Sequence, residues 1–293
     1  MINPIEVTYP IFITQETSKK FLMFWRNGIS GAAVWERNLY NDDGTWGTMV
    51  AVDDGLTGTY QGSTTRSSYH ADIATFGNDI HKTWTWREGL NNSATTNHDL
   101  MYAISHDAGG TWYNKAGTLV GNSGVGSFKM NVNSAITDWG IPYTAPNNWY
   151  LLDNNSSCVD SNGNTHVIFS HAKSVTDPTN AYWYYLRIGG TWTRTMLPFV
   201  AGQSPRMFID RASATLYVVS GLAGHVKVYG ANVGSNNWGT WVDSGYSSAA
   251  SDYIDLFNGR LSDDGKTLWI EAQHQGTSSS ALDVIKLALK PNP

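Results

Sequence analysis

The chain has 293 residues and a formal net charge of −5, from 19 Lys and Arg against 24 Asp and Glu. This balance excludes a general basic surface of the kind that collects nucleic acid or an anionic membrane, so we expect neither as a partner. No apolar run is long enough to cross a bilayer, and no signal peptide is visible at the N-terminus. Cys158 is the single cysteine, which excludes an internal disulfide.

The chain is rich in Gly, Trp and Tyr, with 29, 13 and 15 residues respectively. Few apolar residues recur at the three- and four-residue spacing of a helix. The pattern predicts an all-β protein of short strands joined by tight turns. Five similar segments follow one another, at roughly residues 8–55, 66–120, 149–200, 203–245 and 252–290. Repeats of this kind predict a single β-propeller domain over residues 1–293, with a β-sandwich as the structural rival.

The predicted strands follow in chain order. The first repeat pairs 8–12 with 21–26, and the second pairs 69–73 with 80–86. A segment rich in Gly, Ser, Asn and Pro at 121–148 is predicted to be a long binding loop. The later repeats contain strands at 157–160 and 165–169, then 206–209 and 216–219, then 256–260 and 267–271.

The second repeat closes on an Asp-box, because residues 105–112 fit the pattern Ser-x-Asp-x-Gly-x-Thr-Trp at every fixed position. We expect Asp107 to bond the turn backbone, Gly109 and Gly110 to supply positive φ angles, and Trp112 to cover the hairpin. These roles are structural, so the motif predicts a fold rather than a site.

Four ordered motifs come before that turn: Tyr9-Pro10, Phe-Trp-Arg-Asn-Gly-Ile-Ser-Gly at 24–31, Trp-Thr-Trp-Arg-Glu at 84–88, and Thr-Thr-Asn-His-Asp-Leu-Met-Tyr at 95–102. With the Asp-box, the series resembles the BNR-4 group of β-propellers, which includes the ulvan lyases. The resemblance implies a polysaccharide lyase that cleaves a uronic-acid polymer by β-elimination. Its relatives have about seven blades, so the five visible repeats imply either a five-bladed ring or a shortened seven-bladed one.

The same resemblance implies a catalytic Tyr and Arg at Tyr9 and Arg26, and it matches a family His to His98. Arg26 can pair with the uronate carboxylate through two hydrogen bonds as the C5 proton leaves. Tyr9 can transfer a proton if a cation lowers its pKa from about 10, and His98 can act as an acid or base near neutral pH. His70 is a second choice for proton transfer. A further catalytic His lies upstream of the Tyr-Pro strand in relatives and has no counterpart here.

Further side chains are candidates for binding the polymer. They are Arg66, Tyr69, Arg87 and Arg206 on the strands, and Tyr143 and Trp149 on the long loop, where an aromatic ring can stack on a sugar. Structural roles are open for the main candidates. Tyr9 can be an ordinary strand aromatic, Arg26 can cap a strand, His98 can fasten a loop through Asp99, and Arg87 can form a weak exposed ion pair with Glu88.

Two other functions stay open beside the lyase: a carbohydrate-binding propeller without activity, and a sialidase-like glycoside hydrolase. We expect no cofactor. Asp and Asn clusters at 41–43 and 160–164 can hold a structural Ca²⁺, but turns use the same residues and we expect turns. We expect a monomer, located outside the cell or in the periplasm because an anionic polysaccharide is too large to enter.

Overall fold

The computed structural model describes residues 7–53, 63–89, 97–125, 127, 129–130, 156–174, 176–201, 203–222, 225–232, 238–247, 253–274 and 282–289. These residues form twenty β-strands and contain no helix, which confirms the all-β class. Within the same ranges, no helical segment is therefore available to cross a membrane. Closure into a ring and the number of blades stay predictions.

Two compact units divide the chain. The first consists of Met1–Asp153, Ser174–Pro178 and Ile188–Trp192. Its main sheet contains β1 (Val7–Thr14), β2 (Phe21–Ile29), β3 (Ala32–Tyr40), β4 (Val50–Ala51), β5 (Arg66–Phe76), β6 (Asp79–Glu88), β7 (Asn97–Ser105), β8 (Thr111–Tyr113) and β9 (Leu119–Asn122). The strands pair in chain order, and the one parallel contact among them, Ala33 with Ser67, joins β3 to β5.

The second unit consists of Asn154–Lys173, Thr179–Arg187 and Thr193–Pro293. Three antiparallel sheets follow one another along this part of the chain. Their strands are β10 (Ser156–Val159), β11 (Thr165–Ala172), β12 (Asn180–Ile188) and β13 (Thr191–Val200); β14 (Gln203–Asp210), β15 (Thr215–Leu222), β16 (His225–Asn232) and β17 (Val242–Ser247); and β18 (Tyr253–Leu261), β19 (Thr267–His274) and β20 (Leu282–Ala288).

Bulky side chains fill the space between consecutive groups of strands. In the first unit, Phe24 and Trp35 from the first repeat share one core with Trp84, Trp86 and Met101 from the second. Two similar cores in the second unit each draw residues from two successive sheets. Every second residue of a strand contributes to one such core, as Leu22 and Phe24 of β2 do, because neighbouring side chains of a strand point to opposite sides.

The Asp-box forms the turn that the sequence predicts, with one correction. The Asp107 carboxylate accepts hydrogen bonds from the backbone and the hydroxyl of Thr111, at 2.7 and 2.9 Å, and Trp112 is buried. Positive φ occurs at Ala108 and Gly109, so the prediction for Gly110 is wrong. Gly110 is small for a different reason, since an added Cβ would lie 2.9 Å from a carboxylate oxygen of Asp107.

Asp side chains also stabilise the two turns that were considered for Ca²⁺. Asp43 accepts hydrogen bonds from the backbone and the hydroxyl of Thr45. Asp160 accepts the backbone N–H groups of Asn162 and Asn164, each at 2.8 Å. Burial opposes ionisation of Asp160, but the His166 ring, the Asn164 amide and these two backbone groups together lower its pKa to about 2.

Candidate active site

A β-bulge near the start of β1 presents Tyr9. Thr8 pairs with Arg26 and Ile11 with Phe24, so Tyr9 and Pro10 together face the single residue Trp25. Proline suits this place because a bulge does not need its missing N–H. Tyr9 has a φ of +53°, which is costly for a non-glycine residue, and its side chain is 40% exposed. Strained residues that the surrounding fold holds in place are frequent at functional sites.

A second bulge, in β5, lies beside Tyr69. Tyr69 pairs with Thr85 and Asp72 with Thr83, so two residues again oppose one. The Tyr69 hydroxyl lies 3.4 Å from the Tyr9 hydroxyl, and the two rings meet edge to face at 6.1 Å. Tyr69 is buried, with 8% of its surface exposed, so Tyr9 is the more accessible phenol of the pair.

The Arg26 side chain contacts both phenols from β2. Its guanidinium carbon lies 4.9 Å from the Tyr69 ring centre and 5.9 Å from that of Tyr9. Arg26 donates from Nε to the Ser67 hydroxyl at 3.0 Å, and its other nitrogens contact the Thr8 hydroxyl and the Ile29 carbonyl. Burial lowers the pKa of Arg26, while attraction to the two phenols raises it.

Of the five N–H groups of a guanidinium, three of those on Arg26 have these protein partners. The other two have no partner among the described residues, and no carboxylate of that set lies within ion-pair distance of Arg26. Its buried positive charge contacts aromatic faces and neutral oxygens, and Asp53 attracts it without forming an ion pair, an arrangement that favours an incoming anion.

A second arginine contacts Tyr69 from the end of β6. The guanidinium carbon of Arg87 lies 3.4 Å from the Tyr69 ring centre. Arg87 donates from Nε to the Asn97 side-chain oxygen at 2.8 Å and from a terminal nitrogen to the Ser30 hydroxyl at 3.0 Å. Tyr69 thus holds two like charges next to one another, and their repulsion also lowers the pKa of Arg26.

A buried ion cluster lies at the junction of β5, β6 and β7. The Arg66 Nε is 3.1 Å from a Glu88 oxygen, and the same oxygen is 2.7 Å from His98 Nε2. The other ring nitrogen of His98, Nδ1, is 2.8 Å from an Asp99 oxygen. Burial lowers the pKa of His98, but the hydrogen bonds and charges of Asp99 and Glu88 outweigh it, so the pKa is raised.

The structure therefore brings four of the proposed site residues together: Tyr9, Arg26, Tyr69 and Arg87. Arg66 and His98 belong to the neighbouring ion cluster instead.

The remaining candidates are three side chains outside the described part and one residue of the second unit. The backbone of His70 lies in the β5 bulge, while its side chain is outside the described part. Tyr143 and Trp149 lie outside the described residues as well. Arg206 is half-buried on β14, in the second unit.

The sequence analysis did not predict several contacts of the site. Ser67, Ser30 and Asn97 fix the two arginines, and only strand register brings them near. The one available signal was that Ser30 and Asn97 lie within two of the quoted motifs, whereas Ser67 lies outside them. The exposed setting assumed for Arg87 and Glu88 is wrong, since they are 4% and 3% exposed. Within the described ranges, no three His, Cys, Asp or Glu side chains are arranged so that they could hold a metal ion.

Comparisons with known proteins agree with the motif pattern. The family model described as "BNR repeat-containing family member" matches residues 3–199. No curated protein matched the sequence.

Among solved structures, the chain is similar to the polysaccharide lyase Uly1, with 18% identity and a TM-score of 0.66 over 96% of this chain and 58% of that one. It thus spans less than two thirds of the length of that lyase.

Two glycan-related enzymes have similar folds. One is the Penicillium chrysogenum alpha-L-arabinanase complexed with arabinobiose, at 13% identity and a TM-score of 0.57, covering 98% of this chain and 79% of that one. The other is the Trypanosoma rangeli sialidase in complex with the inhibitor DANA, at 11% identity and a TM-score of 0.53, covering 98% and 49%. At these identities the likeness shows a shared fold.

Proposed function

The chain belongs to the BNR repeat-containing family, and from this premise we propose that it is a β-propeller polysaccharide lyase that cleaves a uronic-acid polymer by β-elimination. The observation that carries the proposal is the 3.4 Å contact between the hydroxyls of Tyr9 and Tyr69 beside the buried Arg26. Similarity to a polysaccharide lyase and to two other glycan-related enzymes supports a carbohydrate substrate. The proposal needs no cofactor and implies a protein that meets its polymer outside the cytoplasm.

Tyr9 is the proton-transfer residue in this proposal, because it is the exposed member of the phenol pair. The charge of Arg26 favours the phenolate form of Tyr9, and the Tyr69 hydroxyl can donate a hydrogen bond to that phenolate. The phenolate takes the C5 proton of the uronate. The electron pair of the former C5–H bond becomes the C4–C5 double bond, and the C4–O bond breaks with its pair on the leaving oxygen. The new Tyr9 phenol then gives its proton to that oxygen.

Arg26 stabilises the negative charge that develops on the uronate carboxylate as the C5 proton leaves. Its two N–H groups beyond the protein hydrogen bonds are the donors assigned to the carboxylate. Hydrogen bonds to Asn97 and Ser30 hold Arg87 against the Tyr69 ring. Arg87 thereby orients that ring and adds positive charge near the reacting phenols. A buried, pre-oriented pair of guanidinium groups acts strongly because little water screens it.

The test is ultraviolet absorbance of the C4–C5 double bond when the chain is incubated with ulvan and with other uronate polymers. We expect Tyr9→Phe to lower kcat by about 10²-fold or more, since it removes a general acid and base. We expect Arg26→Ala to lower kcat/KM by about 10²-fold or more. Tyr40→Phe is the matched control, because Tyr40 is also 40% exposed, and it should keep wild-type turnover.

Each alternative has its own outcome in this experiment. Polymer binding without absorbance would favour a binding propeller, and new reducing ends without absorbance would favour a sialidase-like hydrolase. Full turnover in folded Tyr9→Phe would remove Tyr9 from its assigned role.

A further inference from the structure

The geometry points to a role for His98 that differs from proton transfer. We propose that His98 is a protonated positioning residue, whose imidazolium is held between Glu88 and Asp99 and fixes the strand ends that carry Arg87 and Asn97. This inference rests on the proposed function, because its consequence for activity runs through Arg87 and Tyr69.

Hydrogen-bond stoichiometry gives the first argument. Both ring nitrogens of His98 lie within 2.8 Å of a carboxylate oxygen, Nε2 at Glu88 and Nδ1 at Asp99. An ionised carboxylate only accepts hydrogen bonds, and a neutral imidazole has only one N–H to donate. The imidazolium, with two N–H groups, satisfies both contacts at once, so this arrangement selects the charged ring.

Charge balance gives the second argument. Within the described ranges, the charged groups that contact this cluster are Glu88 on β6, Asp99 on β7 and, through Glu88, Arg66 on β5. With His98 protonated, two positive charges meet two negative ones. Loss of the proton leaves one negative charge in excess in a cluster whose members other than Asp99 are at most 5% exposed in their side chains. An uncompensated buried charge is costly, so the folded chain holds the proton.

The connection to the active site runs along two adjacent residue pairs. His98 pairs with Trp86 across β6 and β7, and the next pair is Asn97 with Arg87. Asn97 accepts the Nε hydrogen bond of Arg87, whose guanidinium covers the Tyr69 ring. Directly after His98, the strand bulges at Asp99, which has a φ of +56°. The ion cluster therefore holds the strained start of β7 in the register that Arg87 requires.

A proton-transfer residue needs a ring nitrogen that reaches the substrate, whereas both nitrogens of His98 are engaged by carboxylates. His98 therefore acts on the reaction through Arg87 rather than on the sugar.

Asp99→Asn tests this inference. Asn tolerates the positive φ at this position well, and its amide N–H can donate to Nδ1, so that a neutral His98 with its proton on Nε2 satisfies both contacts. Ring ¹⁵N chemical shifts of labelled protein report the protonation of His98 directly. We expect both nitrogens protonated at neutral pH in the wild type, and a proton affinity lower by about tenfold or more in Asp99→Asn.

Asp79→Asn is the matched control, because Asp79, at 35% side-chain exposure, pairs with His106, at 54%. We expect this change to leave the His98 signals unaltered. A wild-type His98 with only one protonated nitrogen at neutral pH would overturn the proposal, whether or not the chain cleaves any polymer.

The kinetic readout separates positioning from mere folding. In Asp99→Asn, we expect the alkaline limb of the kcat/KM profile to move to lower pH while the acid limb stays in place. An unchanged alkaline limb, together with a lowered His98 proton affinity, would contradict the positioning role. Absence of turnover in the wild type as well would count against the proposed lyase function, while the ¹⁵N result would still decide the state of His98.

Discussion

At the scale of single residues, the first unit contains a fully buried lysine. The Lys82 ammonium lies 2.9 Å from an Asp53 oxygen and 2.8 Å from the Ser68 hydroxyl, and 4.0 Å from the Trp84 ring centre. Burial lowers the pKa of Lys82, while Asp53 opposes that effect. Asp53 also accepts the backbone N–H of Trp35. The pair therefore joins β3, β5 and β6 next to the site, at a high cost if only one partner is removed.

Lys82→Met should lower the free energy of unfolding by about 3–5 kcal/mol, because it leaves the Asp53 carboxylate buried and unpaired. The double variant Lys82→Met with Asp53→Asn removes both charges and keeps an oxygen for the Trp35 N–H. We expect the double variant to be more stable than the single one in urea unfolding. The opposite order would show that Asp53 is stabilised by something other than Lys82.

At the scale of elements, a β-bulge recurs in the first strand of three repeats. Residues 9–10 of β1, 70–71 of β5 and 204–205 of β14 each form a two-residue bulge opposite a single partner on the next strand. By this register, the backbone of His70 occupies in β5 the position that Tyr9 occupies in β1. Bulges re-aim the side chains around them, which is how an otherwise regular hairpin presents Tyr9.

The hairpin between β2 and β3 is the second element that shapes the site. Its Ile29 carbonyl and Ser30 hydroxyl accept hydrogen bonds from Arg26 and Arg87. Gly28, just before them, has a φ of +121° and lies against Ala32, whose carbonyl oxygen would be 2.6 Å from an added Cβ. The first glycine of the Asn-Gly-Ile-Ser-Gly motif, Gly28, is therefore required both by its backbone angle and by the lack of room for a Cβ beside Ala32.

Gly28→Ala should destabilise the hairpin and lower kcat/KM, because both arginines lose their support when the tip shifts. Gly117→Ala is the control, since Gly117 also has a positive φ of +78° but no atom within 4 Å of the added Cβ. We expect the control to cost only about 1–2 kcal/mol from the backbone angle and to keep activity. Equal loss of stability in the two variants, measured by denaturant unfolding, would rule out the steric part of this explanation.

At the scale of the whole molecule, the two units contain buried histidines of opposite character. In the second unit, His171 Nδ1 lies 2.8 Å from the Ala172 carbonyl and Nε2 lies 2.8 Å from the Tyr185 hydroxyl, which suits a neutral ring. Burial lowers the pKa of His171 to about 3 and raises that of Tyr185 to about 12. In the first unit, the pKa of His98 is raised.

These directions predict opposite pH responses in the two units. Stability from His98 is fully present below its unfolded pKa of 6.5 and is lost as pH rises through the higher folded value. Stability from His171 is fully present above 6.5 and is lost as pH falls from there toward about 3. We expect protection from amide exchange to fall in β6 and β7 as the pH rises above the raised pKa of His98, and in β11 and β12 as the pH falls below 6.5.

Burial also lowers the pKa of His166 on β11, so His171→Gln should weaken the acid response of β11 and β12 without abolishing it. His106→Gln, at a side chain that is 54% exposed, should leave the response unchanged. Parallel loss of protection in both units at each pH would contradict the assignment of separate histidine effects.

The sequence alone was enough to predict the all-β class, the family and the Asp-box turn. These depend on residues close together in the chain, such as Asp107 with Thr111, and on the spacing of aromatic strands. It also selected Tyr9, Arg26, Tyr69 and Arg87 as site candidates, through the motif series and the residue types.

Only the tertiary structure decided which of these side chains meet. Arg26 and Arg87 reach Tyr69 from different strands, and two bulges set the register that brings the phenols to 3.4 Å. The same folding buries His98 between two carboxylates, one of them on another strand. Such contacts cannot be predicted from local pattern, because a shift of one residue in register turns a side chain to the other face of the sheet.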